Sequence, residues 1–216
     1  MKAKAYRNPM NSRMAIVFLI ACLLALFLPV SKAAAAEAVF AGGCFWSVES
    51  AFDKLKGVSS AVSGYAGGKV DNPTYEQVAH EKTGHLEAVK VTYDPKVISY
   101  EDLLQVYWRQ IDPTDNAGQF VDKGDNYRTA IFFGNEAEKR AAEASKEALA
   151  KSGRFQKPIV TEIRASSKFY PAEEYHQDFA KLSPLRYKAY RMGSGRDSFF
   201  EKHWGRDHEL PRLLAK

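Results

Sequence analysis

Two glycines and a cysteine, Gly42-Gly43-Cys44, separate a short apolar run from an amphipathic one. Ala38-Val39-Phe40-Ala41 reads as a buried strand. Val48, Ala51, Phe52 and Leu55 fall at i, i+3, i+4 and i+7, which predicts a helix opening near Cys44. The unbonded N–H groups at a helix start favour negative charge. A cysteine there is expected to have a lowered pKa, in the range of about 3.5–7.5, with the thiolate as the reacting species. Phe45 and Trp46 follow directly and read as an apolar wall beside a nucleophile. A second chemical group is Glu87. His85 to Tyr93 alternates, so Glu87 shares a strand face with Val89, Val91 and Tyr93. A carboxyl on an apolar face is pushed toward its protonated form. Taken singly, each residue has a structural alternative: a buried inert cysteine, a core tryptophan, a glutamate at a wet strand edge.

The elements that must position these groups follow from pattern. Val58 to Tyr65 is strand-like and runs into Gly67-Gly68, and a loop passes through Asn72-Pro73. Ser99 can cap a helix carrying Leu103, Leu104, Tyr107, Trp108 and Ile111. A polar loop spans Asp112 to Asn126, and Tyr127 to Phe133 reads as a strand. Asn135 opens an Ala/Glu/Lys-rich helix that Gly153 ends. Pro158 to Arg164 is strand-like, and Pro171 to Leu182 reads as a helix with proline at its start. Beyond Ser183 the pattern weakens into a tail charged in both signs, read as a solvated wrapping segment. Helices and strands mix without regular alternation, which predicts one α+β domain with a mixed sheet.

The chain has 216 residues, enough for one domain with its own core. Its first stretch combines Lys2, Lys4, Arg7 and Arg13, an apolar run from Ala15 to Val30, and small residues ending at Ala36. This is the pattern of a cleaved export signal, residues 1–36, leaving a catalytic domain over 37–216 in the periplasm or outside the cell. Leu19-Ile20-Ala21-Cys22 also suits a lipoprotein signal. Residues 1–36 hold five of the 31 Lys+Arg and none of the 26 Asp+Glu, so the remainder is formally neutral. The net charge of +5 therefore belongs to targeting, and no nucleic-acid partner is expected. Nor is a membrane partner expected once the signal is gone, and a monomer is the default expectation. Of two cysteines, Cys22 leaves with the signal. That leaves Cys44 as one unpaired thiol in an oxidising compartment, which marks it as reactive.

Gly43-Cys44-Phe45-Trp46 resembles the active-site motif of the A-class peptide methionine sulfoxide reductases. Gly64-Tyr65-Ala66-Gly67-Gly68, Asn72-Pro73-Thr74-Tyr75, Gly84-His85-Leu86-Glu87-Ala88-Val89, Val91-Thr92-Tyr93-Asp94-Pro95, Asn126-Tyr127-Arg128-Thr129-Ala130-Ile131 and Ala172-Glu173-Glu174-Tyr175-His176-Gln177 match that family in the same order. The likeness runs from Val39 to about Pro184. It implies a two-layer α+β fold with a ferredoxin-like core. It also implies reduction of the S epimer of methionine sulfoxide, free or in oxidised proteins. Cys44 would be the nucleophile and become a sulfenic acid, and Glu87 the proton donor. Tyr75 and Tyr127 would hydrogen-bond the sulfoxide oxygen, and Phe45 and Trp46 would hold the S-methyl group. Asp122 matches the family aspartate in the loop before Tyr127, with Asp115 and Asp125 nearby. Many members carry further cysteines that resolve the sulfenic acid, but none follows Cys44 here. An external thiol is therefore expected to do so, from a thioredoxin-like or glutaredoxin-like protein or a small thiol, with no bound cofactor and no metal.

Three other readings compete. A cysteine peptidase would use His176, 132 residues after Cys44, but Trp46 sits one position late and no Asn follows Asn135. His80-Glu81-Lys82-Thr83-Gly84-His85 has one residue too many for a zinc helix motif. A module that binds oxidised methionine without chemistry would need the aromatic wall but not Cys44.

Overall fold

The structure, a computed structural model, describes residues 35–80, 83–208 and 210–214. The expected signal falls outside the described residues up to Ala34, Cys22 included.

The strands are β1 (Ala36–Gly42), β2 (Val58–Ala66), β3 (Leu86–Tyr93), β4 (Gly118–Gln119), β5 (Asp122–Lys123), β6 (Thr129–Phe133), β7 (Glu162–Ala165) and β8 (Tyr170–Pro171). Six form one sheet in the order β7-β6-β1-β3-β2-β8, antiparallel throughout except for the parallel pair β6–β7; β4 and β5 make a separate hairpin. The described helices are α1 (Phe45–Phe52), α2 (Tyr75–His80), α3 (Tyr100–Trp108), α4 (Glu136–Lys151), α5 (Phe179–Leu182), α6 (Pro184–Gly193) and α7 (Arg196–Trp204). The expected mixed α+β domain is what folds.

Alternation divides the sheet's two faces. Ala38 and Phe40 of β1 join Val89, Val91 and Tyr93 of β3 against the helices, whereas Val39, Ala41, Leu86 and Ala88 line the other face. Phe40 stacks on Phe52 and Tyr107, tying β1 to α1 and α3. Local chemistry sets the helix ends as expected. Ser99 and Asp102 form a reciprocal capping box on α3, and Asn135 accepts from the N–H groups of Ala137 and Glu138 to start α4.

Three expectations are corrected. Pro171–Leu182 is not one helix. Pro171 pairs with Gly64 at the sheet edge, and a 3-10 turn covers Glu174–His176. Asp178 takes the left-handed conformation (φ 50°) and gives its N–H to Glu49, so only Phe179–Leu182 is helical. Tyr127 belongs to a 3-10 turn, Asp125–Tyr127, and the strand starts at Thr129. The loop through Asn72-Pro73 forms as expected, and it leads into α2, which the pattern does not predict. The tail is not merely solvated. It forms α6 and α7 and buries Arg196, Phe200 and Trp204, with Trp204 held between the guanidinium groups of Arg109 and Arg154 at 4.1 and 4.2 Å.

Candidate active site

β1 ends at Gly42, and the chain must turn at once into α1. Gly43 makes that turn at φ 76°, where side chains are strained. Cys44 is the residue before α1 and is 6% exposed. Phe40 pairs with Val89 in antiparallel register, so moving toward Gly42 on β1 moves toward Glu87 on β3. Sheet register thus carries the carboxyl to the helix start. The backbone N–H of Phe45 donates to Glu87 Oε2 at 3.0 Å.

Burial dominates the electrostatics. Glu87 is 2% exposed, and desolvation pushes its pKa up to about 8 against the hydrogen bond from Phe45; Asp122 raises it further and Arg196 lowers it. Burial thus favours the protonated carboxyl well above the usual carboxylate range. Cys44 departs from expectation. Its thiol is pushed up to about 12, first by desolvation and then by the negative potential of Glu87, with Arg196 and the Tyr190 hydroxyl pulling the other way. The short helix α1 does not outweigh the loss of water, so burial favours the neutral thiol beside the protonated acid.

Tyr75 at the start of α2 and Tyr127 in the 3-10 turn both lie within the field of Cys44 and Glu87, and their hydroxyls interact with each other. Burial raises both pKa values, so they remain neutral donors. Glu173 fixes this wall by accepting the Tyr75 N–H at 2.8 Å and the Tyr65 hydroxyl at 2.8 Å. Trp46 lies flat on Phe179, with centroids 3.7 Å apart and planes at 9°, and its indole N–H donates to His176 Nδ1 at 3.2 Å. His176 also packs on Phe45 and Tyr75, at 5.0 and 4.5 Å. Trp46, Tyr75 and Tyr127 are half-buried and mark the open side of the site. Asp122 accepts the Tyr190 hydroxyl at 2.6 Å and stands 3.4 Å from Arg196.

The six other residues singled out from the sequence, Phe45, Trp46, Tyr75, Glu87, Asp122 and Tyr127, thus gather around the Cys44 thiol. Tyr190, Arg196, Glu173 and the orienting role of His176 had not been found. For Glu173 and His176 the signal was present in the Glu173-Glu174-Tyr175-His176 segment, read only as family likeness. For Tyr190 and Arg196 no local pattern distinguishes them from surface residues.

The rival readings lose their geometry. His176 turns its Nδ1 to Trp46, and His176 is not among the groups that act on the Cys44 thiol. His80 is exposed beside Glu76, whereas His85 is buried and accepts the Gly68 N–H. Among the described residues the one group with metal-ligand spacing is Glu49, Asp53 and Asp178, where Lys181 already bridges Asp53 and Asp178.

Comparisons with known proteins agree with this geometry. The peptide methionine sulfoxide reductase family model matches residues 36–208. Peptide methionine sulfoxide reductase MsrA of Bacillus licheniformis is 55% identical over 172 residues, covering 80% of this chain and 95% of the relative. The protein of the same name from Halalkalibacterium halodurans is 59% identical over 170 residues, covering 79% and 97%. Among solved structures, reduced Mxr1 from Saccharomyces cerevisiae aligns with a TM-score of 0.66 at 30% identity, covering 71% of this chain and 88% of that one. Methionine sulfoxide reductase A of Corynebacterium diphtheriae aligns at 0.62 and 29% identity, covering 73% and 79%. With a catalytic-type thiol, a neutral buried acid and an aromatic wall on a matching fold, the chain belongs to the peptide methionine sulfoxide reductase family.

Proposed function

We propose that this chain reduces the S epimer of methionine sulfoxide, free or in proteins, with Cys44 as nucleophile and Glu87 as proton donor. The observation that carries the reading is the Phe45–Glu87 hydrogen bond. It holds a carboxyl whose pKa burial has raised to about 8 against the residue following the thiol.

Sγ of Cys44 attacks the sulfoxide sulfur while Glu87 protonates the sulfoxide oxygen, and the thiol proton returns to the carboxylate. Tyr75 and Tyr127 donate to the same oxygen. Oxygen then passes to Sγ. Thiol plus sulfoxide becomes sulfenic acid plus thioether, with two electrons moving from Cys44 to the methionine sulfur. Phe45 and the Trp46 face pinned by Phe179 and His176 supply an apolar seat for the S-methyl group.

The sequence carries no cysteine after Cys44, so two external thiols reduce the sulfenic acid, releasing water and a disulfide. The basic and apolar first 36 residues support action outside the cytoplasm, with a periplasmic or secreted thiol donor.

The test is to incubate the chain with each sulfoxide epimer, with and without dithiothreitol. The expected result is catalytic methionine formation from the S epimer alone with thiol present. Without thiol, one methionine forms per chain together with one trappable sulfenic acid. A C44S variant is the inactive control. No methionine from either epimer, by folded protein with a free thiol, overturns the reading.

A further inference from the structure

The C-terminal helices bring a phenol and a guanidinium to the nucleophile. Tyr190 of α6 brings its hydroxyl to bear on the Cys44 thiol, sets its ring edge-on to Trp46 at 5.9 Å, and donates that hydroxyl to Asp122 Oδ2 at 2.6 Å. The same Asp122 oxygen stands 3.4 Å from Arg196 Nη2. Arg196 is fully buried, lies over Phe120 at 4.6 Å, and donates from Nη1 to the Gln110 carbonyl at 3.2 Å. A buried cation is costly unless it is paired and hydrogen-bonded, and Arg196 has the Asp122 carboxylate and the Gln110 carbonyl. Here it stands against the turn that presents the thiol, 3.0 Å from where a β-carbon on Gly43 would lie.

We propose that Tyr190 is a further catalytic residue of this site, its hydroxyl holding the Cys44 sulfur through the attack, with Asp122 and Arg196 positioning it. The inference rests on the reductase reading above. A phenol carries one proton. In the resting site the thiol donates to the Tyr190 oxygen, and Tyr190 donates to Asp122. When Sγ gives up its proton, the phenol O–H turns to the anionic sulfur, and Asp122 keeps Arg196 as its partner. The groups that bear on the thiol are Glu87 from β3, Asp122 from β5, Tyr75 from α2, Tyr127 from the 3-10 turn, Tyr190 from α6 and Arg196 from α7. Among them Tyr190 and Arg196 favour the anion, and Glu87 and Asp122 oppose it.

The test uses the full chain and Tyr190→Phe, which removes the hydroxyl and keeps the ring against Trp46. Two readouts are taken: the pH dependence of Cys44 modification by methyl methanethiosulfonate without sulfoxide, and single-turnover methionine formation at saturating sulfoxide. The expected result is a modification profile moved to higher pH, and single turnover slowed about tenfold or more with an unchanged KM. Arg196→Met is expected to shift the profile as Y190F does. Should R196M fail to fold, Y190F decides alone. If Y190F follows the wild-type profile, Tyr190 is structural and the proposal is overturned, whether or not turnover falls. If the wild-type chain makes no methionine while Y190F still shifts the profile, the reductase reading fails and the contact between Tyr190 and sulfur stands.

Discussion

Phe45 donates its backbone N–H to Oε2 of Glu87 at 3.0 Å, so the acid is anchored by the residue that follows the nucleophile. The β1–β3 register and the turn at Gly43 thus bring proton donor and thiol together. Because Glu87 acts as an acid with a pKa near 8, activity should fall as pH rises through that value. Glu87→Gln keeps the acceptor for Phe45 but has no proton to give. A loss of about 10²–10⁴-fold in kcat is expected, together with loss of the alkaline limb. An E87Q enzyme that still declines near pH 8 assigns that limb to another group.

The same carboxyl makes stability depend on pH. Its folded pKa, about 8, lies above the ordinary 4.5, so the folded chain holds a proton that the unfolded chain releases between these values. The contribution is present below about pH 4.5 and lost by about pH 8. Glu49, buried on α1 and pushed up to about 7 mainly by desolvation, adds a loss of the same sign between 4.5 and 7. E87Q removes the first effect. Its Tm should exceed wild type at pH 8–9, and the gap should close toward pH 4, as thermal melts across pH will show.

What the sequence discloses here is what short range controls. Ser99 and Asn135 cap their helices through contacts two or three residues away, and the alternation around Glu87 survives because β3 is paired on both sides. Tyr190 and Arg196 escaped because their partner, Asp122, lies 68 and 74 residues away. Pro171–Leu182 looked helical because nothing local shows that Glu49 claims the Asp178 N–H. The thiolate expectation failed for a related reason. Helix-start chemistry is local, whereas the burial that outweighs it depends on the sheet and the C-terminal helices together.

Trp46 depends on two residues from the segment over Glu173–Phe179: Phe179 beneath its ring and His176 at its N–H. Phe179→Ala should leave the indole free to rotate away from the site. A stacked pair contributes about 0.5–1.5 kcal/mol, which is about a 2- to 13-fold rise in KM. kcat should change little, because Cys44 and Glu87 are untouched. Steady-state kinetics and the emission wavelength of Trp46 read the two halves of this expectation, and a fall in kcat at constant KM would contradict it.

Gly43 separates strain from crowding. At φ 76° a β-carbon is strained, and at this position it would also stand 2.5 Å from Gln119 Cβ and 3.0 Å from Arg196 Nη2. Gln119 has little room to retreat. It is fully buried, accepts the Asp112 N–H at 2.8 Å, and donates to the Asp112 and Gly118 carbonyls. Gly153 shares the conformation, φ 70°, with nothing within 4 Å. Gly153→Ala should therefore cost backbone strain alone, about 1 kcal/mol. Gly43→Ala should cost about 2–4 kcal/mol through strain and overpacking together, or about 5–15 °C in Tm. It should also slow Cys44 chemistry, because the turn that aims the thiol is the one that must shift. Equal losses of Tm in the two variants would show that the crowding at Gly43 is relieved at no cost.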